Sequence, residues 1–133
     1  MEKIILSENH RRSVASSLFI IEELLYEIEN VLSNPSNGYF LKLNNDISDQ
    51  KRKEYYNIIN ETRQIIRHLA VKYELSVKTF TISRFIESRK MKMWEVISDT
   101  MSKRLKGYGE FPAEYAYEFD NDINRLQKII NNL

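Results

Sequence analysis

Cysteine is absent from this chain. That excludes disulfides, thiolate metal sites and cysteine nucleophiles, and gives no support to an oxidising compartment. Glycine and proline are scarce, three and two among 133 residues. Sheet proteins spend many more of both on turns, so the scarcity favours long helices. Long apolar runs are missing too. Ile4, Ile5 and Leu6 make only three consecutive apolar residues near the start, far short of a signal-peptide core. No stretch approaches the roughly 18 apolar residues that cross a bilayer. A cytoplasmic protein with no membrane partner is expected.

Histidine is limited to His10 and His68. A carboxylate-bridged di-iron bundle needs Glu-x-x-His on two helices, but Ser7 and Ile65 occupy the positions three residues earlier. Paired ligand spacings such as His-x-x-x-His are also missing, so neither a metal nor a cofactor is expected. Gly107-Tyr108-Gly109 lacks the third glycine, the preceding strand and the lysine of a phosphate loop. It reads instead as a turn, with Tyr108 and Phe111 tucked onto the end of the fold. His68 falls about 160° from Ile66 on a helical wheel, exposed as a phosphoryl acceptor must be. Arg67 and Lys72 lie near it, but no glycine follows, and a plain surface histidine is the expectation. With no triad or oxyanion motif visible, the sequence leans away from an enzyme.

What is present is helical periodicity. Four segments are predicted, over about 7–33, 48–73, 77–106 and 112–131. In the first, Val14, Leu18, Ile21, Leu25, Ile28 and Leu32 step by four and three residues, and Leu24 and Val31 widen the stripe. Ser7 is its expected cap, and Asn34-Pro35 ends it because the residue before proline leaves the α region. Tyr55, Ile59, Thr62, Ile66, Leu69 and Tyr73 repeat the spacing in the second, with Asp46 as a candidate cap. The third carries Ile82, Ile86, Met93, Ile97 and Met101 behind a candidate Ser76 cap and ends toward Gly107. The fourth opens at Pro112 and carries Tyr115, Phe119, Ile123, Leu126 and Ile130. Short connections make successive helices antiparallel. The predicted fold is all-α: a single-domain, up-down-up-down antiparallel four-helix bundle.

Charge is uneven although it totals +1. Residues 1–33 hold three basic and six acidic groups, and residues 107–133 hold two and five. Residues 34–77 hold seven and five, residues 78–106 eight and three. Basic groups in the third segment and near its neighbour make a candidate nucleic-acid surface: Lys51, Arg52, Lys53, Arg84, Arg89, Lys92, Lys103 and Arg104. They scatter around the wheel, however, and the acidic first and fourth segments can balance them within the fold.

Two further features point to protein partners. Phe19 and Tyr26 fall about 80–100° from Leu18, off the main stripe and flanked by Glu22, Glu23 and Glu29. Exposed aromatics of this size mark interfaces. The 34–46 connection carries Tyr39, Phe40, Leu41 and Leu43, an apolar content suited either to docking or to folding back over the bundle. Lys90 is the remaining oddity, a lysine at a seam position between Ile86 and Met93. Buried there it needs a carboxylate, and Glu61 or Glu22 would lie at its level in an up-down bundle. Interaction with protein, self or heterologous, is the leading expectation; nucleic-acid binding through the basic third helix is the alternative.

Overall fold

The computed structural model describes residues 2–35 and 37–133. They form helices α1 (Glu8–Ser33), α2 (Asp49–Lys72), α3 (Ile82–Asp99), α4 (Ser102–Leu105) and α5 (Ala113–Ile130), with a 3-10 turn at Lys106–Tyr108 and no strand among the described residues. The all-helical expectation therefore holds. No helix is long and apolar enough to cross a membrane among the described residues. The chain divides into two compact units, Met1–Lys78 and Thr79–Leu133.

The first unit is an antiparallel pair. Ser7 caps α1 as its sequence predicts, its Oγ accepting the His10 N–H at 3.2 Å. Ser48, rather than Asp46, caps α2, accepting from the Lys51 N–H. Register is set by polar contacts along the seam: Ser33 Oγ and Tyr56 Oη share a hydrogen bond at 2.7 Å, and Arg63 donates to Glu29 at 2.6 Å. Leu32, Ile59 and Ile66 are buried between the helices. At the far end of α2, Glu74 takes a left-handed conformation with φ 50°. The Leu75 N–H then reaches back to the Ala70 carbonyl, which closes the helix in the manner usually left to glycine. The Ile4 N–H donates to the Lys72 carbonyl and satisfies another of the orphan acceptors there.

The second unit corrects the predicted third helix, which begins late and breaks early. Thr81 is its cap, accepting from the Arg84 N–H, so Ser76 is not. At the other end Thr100 closes α3 and Met101 is extended, ψ 149°. The cause of the break lies 18 residues further on. Asp120 of α5 accepts from both the Ser102 N–H (2.8 Å) and the Ser102 hydroxyl (2.7 Å), so a distant side chain starts a new helix at Ser102. Gly109 takes a positive φ of 136° in the turn that follows. Phe111 packs on Phe119, ring centroids 5.0 Å apart, but Tyr108 is exposed and not tucked in. α3 and α5 run antiparallel, with Ile97 buried and Trp94 Nε1–H donating to Asn131 Oδ1 at 2.7 Å.

Candidate interaction surfaces

Each antiparallel pair leaves part of its apolar surface exposed. On α1, taking Leu18 as the direction of α2, Ile21, Leu24, Ile28, Val31 and Ile20 fall about 60–160° to one side. On α2, taking Ile59 as the direction of α1, Thr62, Leu69, Ile58 and Ile65 fall about 60–120° in the same rotational sense. Because the helices run in opposite directions, the same sense of rotation brings both stripes to one side of the pair. The register sets Val31 level with Ile58, Ile28 with Thr62, Leu24 with Ile65, and Ile21 with Leu69. Ile20, Ile21, Leu24, Ile28, Val31, Ile58 and Ile65 remain 40–59 % exposed. No charged residue interrupts this face between Ile20 and Val31 or between Tyr55 and Leu69; Glu27 and Glu61 lie at its outer edges.

The α3–α5 pair has a comparable side lined by Phe85, Met93, Val96, Leu126 and Ile129, all exposed. Arg89 and Asp122 fall within that stripe and break its apolar continuity.

Phe19 and Tyr26, the aromatics singled out in the sequence, are exposed on the opposite flank of α1. The 34–46 connection does not bury its apolar residues: Tyr39 and Leu41 are exposed and Phe40 is 96 % exposed, while Leu43 is half-buried. This tip is ordered by its own backbone. The Gly38 N–H donates to the Leu41 carbonyl at 2.8 Å, and Asn37 Oδ1 accepts from the Leu43 N–H at 2.7 Å. Tyr39 and Phe40 meet edge to face at 5.2 Å, and Lys42 Nζ stands 5.9 Å from the Tyr39 ring.

Lys90 is held within the second unit. Its side chain is only 12 % exposed, with Glu87 at 3.9 Å, the Leu133 carbonyl at 3.4 Å and the Trp94 ring centroid at 5.2 Å. Glu22 and Glu61, the carboxylates expected at its level, are exposed residues of the first unit.

The candidate nucleic-acid residues are divided by their partners. Arg52 donates to the Leu32 carbonyl and to Asn45, capping the C-terminus of α1. Lys51 pairs with Glu54 at 3.5 Å, and Arg89 stacks on Phe85. Lys53, Arg84 and Lys92 are exposed on their helices. Lys103 and Arg104 line an open hollow with Ser98 and Met101 at the α3–α4 bend. A second open hollow on α5 is lined by Asn121, Asn124, Arg125, Gln127, Lys128 and Asn131. No group of three or more metal-ligating side chains forms among the described residues.

The Asp120 carboxyl is held below its ordinary range by the Ser102 N–H and then by the Ser102 hydroxyl. That arrangement caps the start of α4.

No protein-family model matches this chain, and no curated protein or solved structure proves similar to it.

Proposed function

We propose that this chain is a non-enzymatic, cytoplasmic helical protein that works through protein–protein interaction, as a homo-oligomer or a regulatory partner. The observation that carries this reading is the charge-free apolar side of the α1–α2 pair. Solvent-facing stripes of this size mark association sites, because monomers rarely leave more than about 300–600 Å² of contiguous apolar surface open. The ordered aromatic tip at Tyr39–Leu41 and the aromatics Phe19 and Tyr26 add further contact surface.

Light scattering behind a sizing column tests it. A mass above 15.9 kDa that survives high salt is expected. A monomer at both salt concentrations would remove the homo-oligomer. A monomer that also retains no partner on an affinity resin from its own cell extract would end the reading.

Nucleic-acid binding is the second reading, favoured by Lys103 and Arg104 converging on the hollow at the α3–α4 bend. It requires co-purifying nucleic acid that salt removes, since phosphate contacts weaken steeply as salt rises.

A further inference from the structure

Resting on the protein-interaction reading, we infer that the occupant of the α1–α2 face is a second copy of this chain. Two pairs packed face to face would make one four-helix bundle from two chains. Three observations support a second copy.

The first is layering. Each level of the pair offers one side chain from α1 and one from α2: Val31 with Ile58, Ile28 with Thr62, Leu24 with Ile65, Ile21 with Leu69. A twofold copy doubles every level to four, which is how a bundle core is filled.

The second is size. Seven aliphatic side chains at 40–59 % exposure amount to several hundred Å². With the Tyr55 ring and the charged edges, this approaches the roughly 800 Å² per partner that stable interfaces bury. A charge-depleted centre with Glu27, Glu61, Lys51, Glu54 and Lys72 around it has the anatomy of an interface core and rim.

The third is charge. α1 carries two basic and five acidic residues, and α2 carries six and three. A half-turn about a line parallel to the helices sets the acidic α1 of one copy beside the basic α2 of the other. Every neighbouring pair of helices is then antiparallel, and each chain supplies what the other lacks.

Sedimentation or light scattering over a concentration series, with three sets of variants, tests this. The wild-type chain is expected as a dimer. Leu24→Lys and Ile65→Lys each bury a charge twice at the twofold interface and should weaken dimerisation by about 100-fold or more, with helicity by circular dichroism unchanged. Ile58→Ser serves as a milder variant should the lysines disturb folding, and should weaken it in the same direction. Phe19→Ser with Tyr26→Ser lies on the other flank and should leave the dimer intact.

A dimer lost in Phe19→Ser/Tyr26→Ser but kept in Leu24→Lys, Ile65→Lys and Ile58→Ser would overturn the inference while the interaction reading stands. A wild-type monomer at every concentration would also overturn it. The occupant would then be a different partner, or a cover supplied from within the chain if the face proves protected from amide exchange.

Discussion

Asp120 shows how far one carboxylate can act from its place in the sequence. It accepts two hydrogen bonds from Ser102 and thereby starts α4. Because its folded pKa is lowered, the stability it contributes is present at neutral pH and is lost as pH falls below the usual carboxylate range. Asp120→Ala should therefore be less stable than wild type at pH 7 by urea denaturation, and the gap should close toward pH 3. A gap independent of pH would mean that the charge is not what Ser102 recognises. This contact could not be read from the sequence, since neither residue carries a local signal for the other. Lys90 was legible only in part. Its seam position marked it as unusual, and its amine meets the Leu133 carbonyl and Glu87, three residues back on its own helix. Among apolar residues, the contrast between Ile59 and Ile65 is the useful one, 3 % against 59 % exposed in the same helix. Ile59→Ala should cost about 2–4 kcal/mol of stability. Ile65→Ala should cost far less in the monomer, and a thermal or urea titration of both at low concentration checks the difference.

At the scale of elements, the long helices were legible because their apolar residues recur at three and four, and Ser7 was legible because serine sits just before that pattern begins. The start of α3 was not. Val77 and Phe80 are three residues apart and imitate helical spacing across a stretch that is not helical, while Thr81 holds the Arg84 N–H. The open sides of the pairs were equally hidden, because a wheel gives the width of an apolar stripe and not what covers it. The end of α2 yields a prediction of its own. Glu74 holds a left-handed backbone that costs a residue with a side chain roughly 1 kcal/mol or more. Glu74→Gly should raise stability by about 0.5–1 kcal/mol, because the exposed Lys3 contact it forfeits, 3.5 Å long, contributes little. Differential scanning calorimetry would register a higher midpoint; a lower one would show that the Lys3 pair matters more than the backbone.

For the whole molecule, near-neutral charge combines with open apolar faces. Net charge is +1 and the isoelectric point is about 7.9, so long-range repulsion between copies is weak at physiological pH. Nonspecific association should grow as pH approaches that value and recede as pH is moved away from it. Static light scattering across a pH series would follow it as a change in the sign of the interparticle interaction. A specific dimer would behave otherwise, keeping one mass throughout. The all-helical class was thus legible from glycine, proline and periodicity, whereas the exposed apolar sides are surfaces that only the folded pairs display.

The Trp94 indole, hydrogen-bonded to Asn131 and beside the Lys90 amine, is the chain's sole tryptophan. Its fluorescence consequently reports first on the Thr79–Leu133 unit that holds it, while far-ultraviolet ellipticity follows the helices of both units. Following the two signals through one denaturation therefore distinguishes a chain that melts as a whole from one that melts in halves, with no label attached.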